Sequence, residues 1–216
     1  MCFNDRVSLI TYIFGMYFSY QLYIKGFAIE SIFYAWVIQM QLIEYFLWVN
    51  QSPCNVKDET HKKENNFISK IGIFVNHFEP IVLWIAILCI STRTLPKWIN
   101  YIMILFCLLT LYYNKDVLYT NEYNKVYTEV TEESKPHLHW KWNYYDNAFI
   151  YYCFFALVLV LLSYYGIEKG YINAIIILIG LIISYVIYQD KKVVGSMWCF
   201  AAAFAPFILP ILYKNF

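Results

Sequence analysis

Polar and charged side chains interrupt two long apolar stretches in the first half of the chain. They are Gln41, Glu44, Lys70, Asn76, His77 and Glu79. Ionisable groups are costly at membrane depth, and where they occur they mark ion sites, substrate paths or proton relays. The chemistry that these side chains predict is therefore the binding of a small solute or ion.

The spacing of these residues predicts which of them meet. Gln41 and Glu44 are three residues apart, so a helix presents both on one face. If the two stretches form antiparallel helices joined by one loop, Glu44 and Lys70 lie at nearly the same depth, at ~1.5 Å of rise per residue. We expect Glu44 to be the charged ligand or gate with Lys70 as its counter-ion, and a deeper group of Gln41, Asn76 and His77.

Two prolines predict breaks in the helices that carry or face this group. Pro80 removes the hydrogen bond to the carbonyl of Asn76, four residues earlier, so the helix should kink there. Broken helices in membranes are tolerated where protein or water satisfies the freed backbone, often at binding sites. Pro206 predicts a second kink in the last apolar stretch, which begins with small residues that allow close helix packing.

A metal site is the weaker hypothesis for the histidines. His137 and His139 are separated by one residue and could provide two zinc ligands, with His77 or Glu44 as a third. The simpler interpretation of His137 and His139 is an interfacial aromatic segment, and that of His77 is a hydrogen-bonded buried imidazole. No cofactor is predicted. No retinal Schiff base is expected, because the last stretch has no lysine before Lys214.

These residues are carried by seven apolar stretches of helix-spanning length. The predicted spans are Val7–Ile24, Phe27–Val49, Phe67–Ile90, Trp98–Tyr113, Ala148–Tyr165, Tyr171–Tyr188 and Ser196–Tyr213. A bilayer core requires about 20 apolar residues per helix, so seven spans use most of the chain. We predict one all-α transmembrane domain over residues 1–216, a seven-helix bundle, with a small β-hairpin-like loop in Val117–Thr131.

Composition restricts the partners. The chain is 61% hydrophobic and 14% charged, with a net charge of +1, so it has no basic surface of the kind that nucleic-acid binding requires. The expected partner is the lipid bilayer, and a homo-oligomer is left open. The side of the N-terminus carries more Lys and Arg, which predicts a cytoplasmic N-terminus and a C-terminus on the opposite side.

Several segments resemble a family of multi-pass membrane proteins from large DNA viruses of algae and protists. The resemblance rests on Gln41–Trp48, Asn66 and Ser69 with Pro80, His139-Trp140 and Gly195–Cys199. It implies a viral or host-cell membrane setting, and it implies no catalytic residues.

The leading hypothesis is a non-enzymatic membrane protein that binds or conducts a small solute or ion through a polar site between spans 2, 3 and 7. One alternative is a structural or assembly protein of a viral or organelle membrane, in which the polar residues only hold helices together. The other is an intramembrane metal-dependent lipid hydrolase.

Overall fold

The chain folds almost entirely into helices. The structure, a computed structural model, describes residues 4–50, 59–119, 128–130, 138–140, 148–187 and 191–215. Within them lie α1 (Asp5–Ile24), α2 (Ala28–Val49), α3 (Glu59–His77), α4 (Glu79–Ile90), α5 (Lys97–Tyr119), α6 (Ala148–Gly166), α7 (Gly170–Ile187), α8 (Lys191–Ala202) and α9 (Ala205–Asn215). The strands β1 (Thr128–Val130) and β2 (Leu138–Trp140) pair in an antiparallel ribbon. The predicted all-α class is confirmed.

Two helices in the described parts of the chain are long and apolar enough to cross a membrane. They are Ala28–Val49 and Gly170–Ile187, and the number rises to four if each of two bent helix pairs is one span. The helical segment Ile150–Gly166 is apolar but shorter. The chain therefore contains two to four candidate membrane spans by length and composition.

Both bent pairs have a proline at the start of their second helix. α3 and α4 meet at 45°, and Pro80 is the second residue of α4. α8 and α9 meet at 50°, and Pro206 is the second residue of α9. Proline is tolerated in the first turn of a helix, where its missing N–H has no intrahelical partner. Each bend therefore starts a new helix with its own N-terminus inside the protein.

α2 is the central helix of the fold. It packs against α1, α3, α4, α8 and α9. Small residues let α1 approach closely, since a Cβ atom added at Gly15 would lie 2.8 Å from Ile38 Cδ1. The hydroxyl of Ser31 on α2 also donates to the carbonyl of Ser19 on α1 at 2.7 Å. A polar residue on the packed faces of α2 is therefore surrounded by protein.

The elements outside the predicted spans differ from the sequence-based prediction. We expected a hairpin within Val117–Thr131, but α5 continues to Tyr119, and β1 pairs with β2 from the segment expected to be interfacial. The alternation of β-forming and polar residues from Val117 onward suggested a strand, but the helix of predicted span 4 continues past its predicted end at Tyr113. Part of the expected loop before Phe67 is also helical, since α3 begins at Glu59.

The β-ribbon is fixed to one face of α3. The side-chain amide of Asn65 donates to the carbonyl of Thr128 at 2.8 Å and accepts from its N–H at 2.9 Å, as a neighbouring strand would. One turn later the hydroxyls of Ser69 and Thr128 lie 2.9 Å apart. After another turn, Gly72 leaves room for the Trp140 ring, which a Cβ would meet at 2.8 Å. The ribbon thus covers α3 beside α2 and also contacts α8.

Candidate functional site

The first part of the site joins α2 to α8. Gln41 and Glu44 are both fully buried, and the Gln41 amide Nε2 donates to Glu44 Oε2 at 2.9 Å. The Ser196 hydroxyl donates to the other carboxylate oxygen, Glu44 Oε1. Both oxygens of this carboxylate thus accept a hydrogen bond from a neutral donor, and helices from the predicted spans 2 and 7 are held together here.

The second part of the site lies at the bend between α3 and α4. Glu79 is the first residue of α4 and is fully buried, where the helix N-terminus favours a negative charge. The Trp198 indole Nε1 donates to Glu79 Oε2 at 3.2 Å, and the Cys199 thiol lies 3.7 Å from Glu79 Oε1. The Asn76 amide Nδ2 lies 3.8 Å from the same sulfur. These contacts join the predicted spans 3 and 7.

We call Gln41, Glu44, Asn76, Glu79, Ser196 and Cys199 together the polar seam. Its α8 side is positioned by the packing of α7. Trp198 is 2% exposed, and its ring lies over Gly180, where an added Cβ would come within 2.9 Å of the ring. Gly180 therefore allows the close approach that brings the indole N–H of Trp198 to Glu79.

Two carbonyl oxygens of the polar seam have no hydrogen-bond donor among the described residues. They are Gln41 Oε1 and Asn76 Oδ1, and both are buried. Other buried polar atoms share this property, among them the hydroxyls of Ser8 and Ser19 on α1, but a hydroxyl can rotate and can also donate. Amide oxygens only accept, so each of these two leaves its acceptor capacity unused among the described residues.

His77 points to a different set of helices from the one expected. Its Nδ1 lies 2.8 Å from Asn114 Oδ1 on α5, and its Nε2 lies 3.2 Å from the Tyr152 hydroxyl on α6. Because an amide oxygen cannot donate, Nδ1 carries the proton and Nε2 accepts from Tyr152. The hydroxyl of the neighbouring residue on α6, Tyr151, lies 3.0 Å from Thr110 Oγ1 on α5. His77 is thus a link among α3, α5 and α6.

The remaining residues of the predicted site are Lys70 and the candidate metal ligands His137 and His139. Lys70 lies half-buried on α3, and its ion pair with Glu44 stays a prediction. Among the residues that the structure describes, no three His, Cys, Asp or Glu side chains are grouped to hold a metal ion. His139 lies half-buried on β2, whereas His137 lies outside the described residues. A metal at His77 would have to displace Asn114 or Tyr152 from a ring nitrogen.

A second buried polar group, at the other end of α2, was not predicted. Glu30 accepts from the Tyr213 hydroxyl at 2.9 Å, and the Tyr34 hydroxyl donates to Asn173 Oδ1 at 2.6 Å. Asn173 Nδ2 then donates to the Ser163 hydroxyl at 3.0 Å.

A signal for this group is present in the spacing along α2. Glu30, Tyr34, Gln41 and Glu44 follow one another at intervals of four, seven and three residues, which places them on one helical face. The predicted site included only the second half of that stripe.

Comparisons with protein-family models, with curated proteins and with solved structures gave no match. The geometry of the chain itself is therefore the basis for a function.

Proposed function

We propose that the protein is a multi-pass integral membrane protein whose polar seam binds or conducts a small solute or ion, and that this ligand is a small cation. In this proposal the helices of the described residues form seven spans: α1, α2, the bent pair α3–α4, α5, α6, α7 and the bent pair α8–α9. The viral membrane setting and the cytoplasmic N-terminus stay predictions from the sequence.

The surface of the bundle supports the membrane part of the proposal. Large apolar side chains are exposed on several helices, with Ile10 on α1 66% exposed, Tyr101 on α5 69% and Val186 on α7 65%. Extended exposed apolar surface on a water-soluble protein would favour association with other surfaces. Lipid tails would cover such side chains without cost.

One observation carries the assignment of the ligand. The amide oxygens Gln41 Oε1 and Asn76 Oδ1 lack donors among the described residues. The Gln41 amide nitrogen contacts the buried carboxylate of Glu44, and the Asn76 amide nitrogen contacts Cys199, whose thiol contacts Glu79. A buried acceptor without a partner costs about 1–3 kcal/mol. Carboxylate and carbonyl oxygens are the ligands that hard cations prefer, and a cation bound at either amide oxygen would satisfy it.

The bends support the same proposal. α4 begins at Glu79 in the interior of the protein, where Glu79 contacts Trp198 and Cys199 in the last turns of α8, before its end at Ala202. Interrupted helices at membrane depth are typical of transporter sites, where helix ends and freed backbone groups contact the transported ion. The proposed site lies where the two broken helices face α2.

The test is cation flux in proteoliposomes that contain the full-length protein. Wild type should release an internal load of K⁺ or Na⁺ down its gradient, and Gln41→Leu should lower the rate at least tenfold. Gln39→Leu is the matched control, since Gln39 lies on the same helix but donates to the carbonyl of Ala35. Equal flux from Gln41→Leu and wild type, or no cation binding or flux by wild type, would contradict the proposal.

A structural role is the second candidate, because the four carboxylate oxygens of Glu44 and Glu79 all have a donor within the protein. In that case the polar seam only joins α2, α4 and α8, each hydrogen bond contributing about 0.6–2 kcal/mol. Substitutions in the seam would then lower stability and leave cation binding absent throughout.

A further inference from the structure

A cavity opens at the end of the bundle where α2 begins. Its volume is about 610 Å³, and its wall comes from residues 26–30, 90–93 and 167–169 together with Tyr213. Ligand pockets commonly have volumes of about 300–1,000 Å³. The cavity is distinct from the polar seam, because Glu30 and Gln41 are eleven residues apart on α2, or ~16 Å at the helical rise.

The inner wall of the cavity combines a carboxylate with two aromatic rings. Glu30 is 3% exposed and accepts a hydrogen bond from the Tyr213 hydroxyl at 2.9 Å. The rings of Phe27 and Tyr213 have centroids 4.9 Å apart and are tilted by 51°. Glu168 also lines the cavity and lies within electrostatic range of Glu30. Aromatic faces beside a carboxylate are the usual recognition site for an alkylammonium group.

The rim of the cavity carries positive charge. Arg93 lines the cavity and is exposed, and its backbone N–H donates to the Ser91 hydroxyl at 3.0 Å. A planar guanidinium is suited to bind a phosphate or a carboxylate through two hydrogen bonds. Lys169 is a second cationic side chain in the lining, beside the two carboxylates. The cavity thus carries both signs of charge, which match a ligand with separated positive and negative groups.

The loops that form the cavity are tied to one another. The Ser91 hydroxyl donates to the carbonyl of Gly166 at 2.7 Å, which joins the loop after α4 to the end of α6. Lys169, whose φ of 54° is uncommon for a residue other than glycine, donates from Nζ to the carbonyl of Tyr213 at 2.9 Å. The wall is thus built from three segments held in place before any ligand binds, which lowers the entropic cost of binding.

We propose that this cavity binds a zwitterionic alkylammonium compound, with its ammonium group against Glu30, Phe27 and Tyr213 and its anionic group at Arg93. The chemistry is that of phosphocholine, which occurs as a free molecule and as the headgroup of a membrane lipid. The cavity is a binding site of its own, and the proposal does not depend on the function of the polar seam.

The experiment is calorimetric titration of the full-length protein, purified in a non-ionic maltoside detergent, with phosphocholine and with choline. Wild type should bind both, and phosphocholine more tightly. Glu30→Gln, which retains an acceptor for Tyr213, should weaken both ligands at least tenfold. Arg93→Gln should weaken phosphocholine about tenfold and leave choline binding unchanged. Glu64→Gln on the exposed face of α3 is the matched control and should change neither.

If Glu30→Gln does not fold, Phe27→Leu replaces it, because this half-buried ring lies at the edge of the core and leucine retains apolar packing there while removing the aromatic face. It should weaken choline binding severalfold. Absence of binding by wild type, or unchanged affinities in Phe27→Leu or in a folded Glu30→Gln protein, would overturn the proposal.

A second experiment distinguishes a lipid headgroup from a free small molecule as the natural ligand. Native mass spectrometry of the protein after exchange into mixed phosphatidylcholine–phosphatidylglycerol vesicles should show retained phosphatidylcholine, displaced by free phosphocholine, if the headgroup of a lipid is the natural ligand. Binding of phosphocholine without retained lipid would support a free zwitterion instead.

Discussion

Two buried asparagines show how differently the two ends of this bundle use polar groups. Asn173 on α7 uses both of its amide atoms, since its Oδ1 accepts from Tyr34 at 2.6 Å and its Nδ2 donates to Ser163 at 3.0 Å. Asn76 on α3 is equally buried, but its Nδ2 reaches only the sulfur of Cys199 at 3.8 Å, and its Oδ1 has no donor among the described residues.

The difference separates a structural polar group from a site. The group around Asn173 joins α2, α6 and α7 with short hydrogen bonds and leaves no amide atom unused, as expected for residues that hold helices together. The polar seam instead combines two carboxylates with amide oxygens that the described protein does not satisfy. We therefore expect the first group to control stability and the second to control binding.

The largest effect is expected from replacing both carboxyl groups of the polar seam. Glu44→Gln combined with Glu79→Gln retains the volume and most hydrogen bonds, but it replaces the two carboxyl groups proposed as cation ligands with neutral amides. Cation affinity should fall at least a hundredfold, which corresponds to ~2.7 kcal/mol. Binding is measured by isotope or fluorescent-probe titration of the folded variant. Affinity within a factor of two of wild type would show that the carboxylates are not ligands.

The next effect is on stability at the paired asparagine. Asn173→Leu should destabilise the protein by about 1–3 kcal/mol, because the hydroxyls of Tyr34 and Ser163 lose their partner in a buried position. Equilibrium unfolding in mixed detergent is the measurement. Cation binding by the folded fraction should remain normal, and a binding defect equal to that of the seam variants would remove the distinction between the two regions.

The same substitution at Asn76 should lower cation affinity and leave the stability of the protein nearly unchanged. Asn76→Leu removes an unsatisfied oxygen and a weak contact to sulfur, so its free energy of unfolding should change by less than about 0.5 kcal/mol. Cation affinity should drop about tenfold, or ~1.4 kcal/mol. The same unfolding and binding assays serve for both asparagine variants. A stability loss as large as that of Asn173→Leu with unchanged binding would instead support the structural role.

The smallest effect is expected at the glycine that positions Trp198. Gly180→Ala places a Cβ 2.9 Å from the Trp198 ring, so the indole must shift away from its hydrogen bond to Glu79. Cation affinity should fall about threefold, with a destabilisation of about 1 kcal/mol from overpacking. Tryptophan fluorescence should report the displacement, and an unchanged spectrum together with unchanged affinity would contradict this positioning role.

The sequence predicted local structure better than contacts between residues that are far apart in the chain. Helical periodicity and hydrophobicity located most of the helices, and the spacing of Gln41 and Glu44 predicted that both share a face. The fixed backbone angle of proline made Pro80 and Pro206 candidates for kinks, and the helix axes do bend beside both. Each of these inferences depends on residues within one or two helical turns.

The rest of the site depends on contacts between residues far apart in the chain. Glu44 meets Ser196 across 152 positions, and Glu79 meets Trp198 across 119, and no local pattern specifies such pairs. His77 was expected beside Gln41 but contacts Asn114. Adjacent residues on a helix point about 100° apart, so the prediction that grouped Asn76 with His77 on one face did not follow the helical spacing. The hairpin was also misplaced because of structural context. The β-forming residues at the end of α5 are helical, since they continue the helix that begins before them.

The most direct test of the central claim is an experimental structure of the protein in lipid nanodiscs containing K⁺ or Na⁺, at a resolution that shows ordered ions. The account predicts a separate density peak in contact with Gln41 Oε1 or Asn76 Oδ1 and within reach of the Glu44 or Glu79 carboxylate. A polar seam in which both amide oxygens accept hydrogen bonds from protein donors, with no density between the helices, would contradict it.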